Sequence, residues 1–247
     1  MKVSYGTDVG LVRSDNQDSV FVKELSPNSG LFIVADGMGG YEGGEFASSQ
    51  AVKIISDYIL NNDFQSMNSS DVCTLLSDAV HMANTQIYKA SLNKTELQGL
   101  GTTVVVCLIT HNVLYTASVG DSRGYIYSKG KLCQITSDHS LVADLVKRGL
   151  ITQEEARVHP QKNVITRAVG SEDDVIVDTF VNNLSSGDTL LICSDGLHTM
   201  LIEDEIKKII KNSKKDTSGK LIAMANDHGG RDNISVITVK ICDEEKL

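Results

Sequence analysis

Leu31-Phe32-Ile33-Val34-Ala35-Asp36-Gly37-Met38-Gly39-Gly40 begins as an unbroken apolar run and breaks on a carboxylate followed by a glycine-rich stretch. The apolar part reads as a buried strand. Just upstream, residues 19–25 give a second strand pattern, and Ser26-Pro27-Asn28-Ser29-Gly30 between them is a strong turn signal. Downstream come two helical patterns, at about 44–60 and 70–92. The second carries Val72, Leu75, Leu76, Ala79, Ala83 and Ile87 on one stripe, with Ser69 or Ser70 as its cap. Strands then return at 102–110 and 113–119 around His111-Asn112, and at 125–127 and 132–135 around Lys129-Gly130. Residues 139–170 hold two short helical patterns and few strand signals, and read as an insertion or flap over the sheet. Strands follow at 175–181 and 189–193, helices near 203–211 and 218–227, and a last strand at 234–241.

Strands, two long helices, more strands and then more helices do not alternate as βαβ units do. The order predicts an α+β fold of antiparallel sheets with helices packed outside them. No linker-like stretch or composition change divides the chain, so a single domain over 1–247 is expected. The hydrophobic fraction is 41%, aromatics are 5% and Trp is absent, which leaves Val, Ile and Leu to fill the core.

The formal net charge is −9. The densest basic stretch, 207–215, falls in an amphipathic helix and its exit and reads as a solvated face. Duplex nucleic acid is therefore excluded as the expected partner, since its affinity comes largely from neutralising phosphates. The five cysteines, Cys73, Cys107, Cys133, Cys193 and Cys242, show no CxxC spacing, and their odd number suits a reducing compartment. Met1-Lys2-Val3-Ser4-Tyr5 lacks the apolar core of a signal peptide, and the longest apolar run, 104–109, cannot span a bilayer. A cytoplasmic, soluble, monomeric protein with no membrane partner is the expectation.

The carboxylates carry the chemical signal. Asp36 and Asp195 each end an apolar strand and precede a glycine, Gly37 and Gly196. Asp121 follows a strand and Gly120. Asp18 and Asp232 stand just before strands. Strand rims that meet at one edge would gather these groups into a dense anionic site. Such crowding is tolerated when a cation sits among the charges. Oxygen-only ligands suit Mg²⁺ or Mn²⁺, and two such ions can activate water and neutralise a phosphoryl group. Taken singly, each Asp-Gly is an ordinary turn or loop start; the set is more specific than its members. Arg13, five residues before Asp18, either reaches the same mouth, where it could grip phosphate oxygens, or pairs on the surface with Asp15.

Together the segments Arg13-Ser14-Asp15-Asn16-Gln17-Asp18-Ser19, Asp36-Gly37-Met38-Gly39-Gly40, Gly101-Thr102-Thr103, Gly120-Asp121-Ser122-Arg123, Ser137-Asp138-His139-Ser140, Ile165-Thr166-Arg167-Ala168-Val169-Gly170, Ser194-Asp195-Gly196 and Asp232-Asn233-Ile234-Ser235 resemble the bacterial type of the metal-dependent serine/threonine protein phosphatase (PPM, type 2C) family. They occur in that family's order over nearly the whole chain. The resemblance implies a four-layer α-β-β-α sandwich, two central antiparallel sheets flanked by helices, with the flap at about 139–170. It implies two Mn²⁺ or Mg²⁺ ions with a third beside them. Asp36 would bridge the first two, the Gly37 carbonyl would bind the first, and Asp195 and Asp232 the second. Asp18 would hold metal-bound water, and Asp121 with Asp195 would form the third site. Arg13 would bind substrate phosphate, and Asn233 would stand behind Asp232, orienting it or a water. Two positions depart from common members: Met38 and Tyr41 stand where a His is often found. A metal-bound water is then the candidate proton donor, and His139 and His159 read as structural.

The implied reaction is hydrolysis of phosphoserine and phosphothreonine in proteins by direct attack of metal-activated water, opposing a bacterial Ser/Thr kinase. The chain has no CxxxxxR or DxDx[TV] pattern, so a covalent intermediate is not expected. A module that binds phosphoprotein or metal without turnover is the competing reading, distinguished by loss of ligand aspartates. A kinase or nucleotide-binding enzyme would need GxxxxGK[ST] or HRD, and neither is present.

Overall fold

The computed structural model describes residues 1–40, 43–213 and 215–242. In chain order its elements are β1 (Lys2–Asp8), β2 (Asp18–Ser26), β3 (Ser29–Met38), α1 (Gly43–Leu60), α2 (Ser69–Asn93), β4 (Gly101–Thr102), β5 (Val104–Thr110), β6 (Val113–Val119), β7 (Arg123–Ser128), β8 (Lys131–Gln134), α3 (Leu141–Lys147), α4 (Gln153–Val158), β9 (Asp178–Asn183), β10 (Thr189–Cys193), α5 (Asp195–His198), α6 (Glu203–Asn212), α7 (Thr217–Asp227) and β11 (Ile234–Lys240). One sheet runs β1-β11-β10-β7-β8. The other runs β2-β3-β5-β6-β9, with β4 paired to β3. Every pairing is antiparallel.

The unbroken apolar runs follow from burial on both faces of each sheet. Along β3, Leu31, Ile33 and Ala35 pack under α1 and α2, while Phe32 and Val34 face the second sheet. On β10, Leu190 and Ile192 point between the sheets, and Leu191 and Cys193 point at α6 and α7. Three separate cores result, one per interlayer space, which is the four-layer α-β-β-α sandwich. Two hairpins use two-residue turns with positive φ at both central residues, His111 and Asn112 at 51° and 59°, and Lys129 and Gly130 at 50° and 83°. This is the backbone that matches strand twist.

Three boundaries differ from the sequence reading. β1 escapes it because this edge strand has no fully buried side chain and shows little apolar alternation. The strand expected at 175–181 pairs only from Asp178. Val175 is instead buried on the α2 side, and its carbonyl meets His81 Nε2 at 2.9 Å. β3 does not stop at Asp36 but continues to Met38, because Gly37 and Met38 pair with Thr102 and Gly101.

Residues 139–170 leave the sheet between β8 and β9. Bridges Ser140–Ile165 and Thr102–Val169 close their base. α3 buries no side chain and α4 buries only Ala156; the helices are capped by Ser140 and the Thr152–Glu155 capping box, while His139, Ser140, Ala168 and Val169 are buried at the base of the segment. No helix among the described residues is long and apolar enough to cross a membrane.

Candidate active site

A cleft of about 460 Å³ opens where one end of each sheet meets. Asp36, Asp121, Asp195 and Asp232 line it, with Arg13, Gly37, Met38, Asn163, Ile165 and Asn233. β3, the β6–β7 turn, the start of α5 and the lead into β11 each contribute one of these four, and Asp15 lines the mouth as a fifth. Asp18 does not line the wall. It lies directly across from Asp36 in the β2–β3 ladder and is 8% exposed.

Neither Asp-Gly pair is a turn. Asp36-Gly37 lies within a strand, and a Cβ on Gly37 would collide with the carbonyls of Gly44 and Gln17. Asp195-Gly196 begins α5, and a Cβ on Gly196 would strike the Asn233 carbonyl. These glycines are there for close approach of backbone, a different cause from the turn or loop start that an Asp-Gly pair suggests.

Hydroxyls that stand in the quoted motifs, but to which the sequence reading assigned no role, fix the aspartates. The Asp36 carbonyl accepts from Thr103 N–H and from Thr102 Oγ1, both at 2.9 Å, and Asp36 N–H donates to Thr103 Oγ1 at 3.1 Å. Ser194 Oγ donates to Asp18 Oδ2 at 2.8 Å and accepts from Ser235 N–H at 2.9 Å. His198 Nε2 meets the Asp121 carbonyl at 3.0 Å, so that nitrogen carries the proton. Burial, and then Arg123, push the His198 imidazole well down, which keeps it neutral. Arg123 itself grips Asp138 through Nε and Nη2, and its Nη1 donates to Tyr125 OH.

His139 is buried and engaged on both ring nitrogens. Its Nδ1 accepts from Gly120 N–H at 3.0 Å, so Nε2 bears the proton and donates to Asp178 Oδ2 at 3.1 Å. Arg167 binds the other oxygen of Asp178 at 3.0 Å. His159 is on the surface, its Nδ1 accepting from Gln161 N–H. Met38 lines the cleft and has no proton to give; Tyr41 lies outside the described residues. Among the described lining residues there is no His, Lys or Tyr.

The electrostatics report crowding. Burial, followed by Asp18, Asp195, Asp121 and Asp232 in that order, holds Asp36 well above the usual carboxylate range. Asp195 is raised by burial, then by Asp121, Asp232 and Asp18, with Arg13 opposing. Burial is also the largest cause for Asp18 and Asp121, each pushed up to about 6. Asp18 Oδ1 and Asp195 Oδ1 are buried with no hydrogen-bond partner. Unpartnered carboxylate oxygens among mutually repelling carboxylates, with oxygen as the only donor type, fit a hard divalent cation. Among the described residues no three His, Cys, Asp or Glu groups already close on one point; the carboxylates surround the cleft.

Arg13 stands at the mouth, its side chain 56% exposed, with Nη2 2.8 Å from Asp232 Oδ2. Among the described residues the ion pair of Arg13 is with Asp232 and not with Asp15, whose Oδ2 accepts from Ser14 Oγ at 2.6 Å. Asn233 donates its own N–H to Asp232 Oδ1 at 2.9 Å, while its side chain binds other main-chain groups.

A family model described as Protein phosphatase 2C matches residues 12–220. The Serine/threonine phosphatase stp of Listeria monocytogenes serotype 4b is 41% identical over 243 residues, covering 97% of this chain and 96% of that protein. The structure of the S. agalactiae serine/threonine phosphatase superposes with a TM-score of 0.90 at 38% identity, over 97% of this chain and 99% of that one. The catalytic domain of serine threonine protein phosphatase PstP, in complex with two manganese ions, gives a TM-score of 0.86 at 32% identity over 98% of both chains. The chain therefore belongs to the protein phosphatase 2C family of metal-dependent serine/threonine protein phosphatases.

Proposed function

We propose that the cleft hydrolyses phosphoserine and phosphothreonine esters in proteins at a centre of two Mn²⁺ or Mg²⁺ ions, with a third site beside it. One observation carries this reading: carboxylates from both sheets crowd one cleft and raise one another's pKa, with Arg13 at its mouth. The two manganese ions of the PstP domain support it. Asp36, Asp195, Asp232 and the Gly37 carbonyl would hold the first two ions, and Asp121 with Asp195 the third. When bound, the ions lower the pKa of water and neutralise phosphoryl oxygens.

The chain's own residues do the rest. Asp18, held by Ser194 through Oδ2, offers its unpartnered Oδ1 as an acceptor for ordered solvent. Arg13 grips two oxygens of the incoming phosphoryl group, which orients the ester for in-line displacement. Thr102 and Thr103 keep the Asp36 backbone from shifting as charge develops. Hydrolysis consumes a phosphoester made elsewhere, so a Ser/Thr kinase must supply the phosphorylated proteins. Action in the cytoplasm as a monomer completes the reading, and the cysteine pattern supports that reducing compartment.

The test is phosphate release from a phosphothreonine peptide by EDTA-stripped protein, before and after Mn²⁺ is restored. Activity that appears only with Mn²⁺ is expected. No turnover by a folded, Mn²⁺-loaded chain would overturn the reading in favour of a binding module.

A further inference from the structure

The loop between β1 and β2, residues 9–17, brings Arg13 to the cleft but buries little of its own. Leu11, Val12, Arg13, Ser14 and Asp15 are all exposed. Its own apolar side chains therefore do not fix its path. Leu11 N–H reaches the Gly230 carbonyl at 2.7 Å, and Asn16 Nδ2 reaches Thr7 Oγ1 at 2.8 Å, each gripping one point. Asn233 does more. Its buried side chain donates from Nδ2 to the carbonyls of Val9 at 3.0 Å and Asp15 at 2.9 Å, and its Oδ1 accepts from Gln17 N–H at 2.8 Å. Two carbonyls and one N–H fix which way the amide faces. All three bonds go to main chain on either side of Arg13.

We propose that Asn233 is a positioning residue for Arg13, acting by clamping the 9–17 loop across the start of β11. This rests on the reading of Arg13 as the phosphate-gripping group. It differs from the expectation that Asn233 orients Asp232 or a water. Among the described residues its side chain makes no bond to Asp232, which it holds only through main-chain N–H. One residue thereby sets both the Asp232 carboxylate, with its backbone, and the loop bearing the guanidinium, with its side chain. Loss of the clamp leaves the chemistry in place and misplaces the phosphate grip, so the cost falls on substrate binding.

Asn233→Ala removes the clamp. Asn233→Ser is neutral, is too short to span all three partners, and serves as the second variant should the first fold poorly. The expected result is a KM for a phosphothreonine peptide raised about tenfold, the scale of one or two lost hydrogen bonds. Turnover number and Mn²⁺ affinity should stay within about twofold. In an Arg13→Ala background the same change should add nothing further, because both act through one group. Reduced Mn²⁺ affinity, a fall in kcat at constant KM, or losses that multiply in the double variant would overturn the proposal. Amide hydrogen exchange provides a readout independent of turnover. Faster exchange over residues 9–17 in Asn233→Ala supports the clamp, and wild-type rates there refute it. If the wild type fails to hydrolyse the peptide, the proposed function falls while the exchange result still decides the clamp.

Discussion

The two walls of the cleft are built on opposite principles. The carboxylate wall rises from strands buried on both faces, and hydroxyls from distant strands lock it. The opposite wall, residues 139–170, contributes Asn163 and Ile165 and is tied down at a hydrogen-bonded base, with Ala156 as the only buried side chain of its two helices. Val158 on that wall is 81% exposed. The first wall holds like charges together against their repulsion, which only a rigid frame can do. The second carries no such charge and buries few side chains in its two helices. The two walls thus differ in how they are built. His139 joins them, since its main-chain and ring nitrogens bond Gly120, one residue from Asp121, while its carbonyl accepts from Thr166 in the flap.

Substitutions should separate the walls, and the largest effect belongs to the rigid one. Asp36→Ala is expected to cost about a thousandfold or more in phosphate release, the scale of removing a metal-held step. The metal-free variant should nonetheless melt higher than wild type, because one buried like charge is gone. An active variant, or a less stable one, would break the contrast. Next in size, Arg13→Ala should lower kcat/KM by about 10- to 100-fold through loss of a charge-assisted bidentate contact. Its melting temperature should hardly move, since the exposed pair with Asp232 contributes little to stability. On the flap, Asn163→Ala should raise KM for a peptide by a few-fold and leave p-nitrophenyl phosphate nearly unaffected. Equal effects on both substrates would place Asn163 with the chemistry instead.

The smallest effect is a pH dependence of the metal-free protein. Asp18 and Asp121 sit at about 6 against an ordinary 3.8, so the native state binds their protons more tightly than the unfolded chain. Stability conferred by that protonation is lost as pH rises through roughly 4 to 6. EDTA-treated protein should therefore melt higher at pH 5 than at pH 7. A rise in melting temperature between those values would show that the carboxylates are not crowded in solution.

Much of this was legible in the sequence because it rests on near neighbours. An apolar run such as Leu31–Ala35 ending on Asp36 declares both a buried strand and a carboxylate at its rim. The two-residue hairpin turns were visible in His111-Asn112 and Lys129-Gly130. What stayed hidden depends on register between distant segments. Ser194 and Asp18 are 176 residues apart, and Thr102 is 66 from Asp36, so nothing local marks these hydroxyls as clamps. His198 looks like any surface histidine until α5 turns it beneath Asp121. β1 stayed hidden for another reason: an edge strand whose side chains are only partly covered has no apolar period to betray it.

On this reading carboxylates drawn from two sheets form one divalent-cation site. Calorimetric titration of Mn²⁺ into EDTA-stripped wild type and Asp36→Ala at pH 7 decides whether they do. The expected result is at least two ions bound by the wild type and that binding lost or severely weakened in the variant. Equal stoichiometry and affinity for both proteins would show that the crowded carboxylates are not where the metal goes.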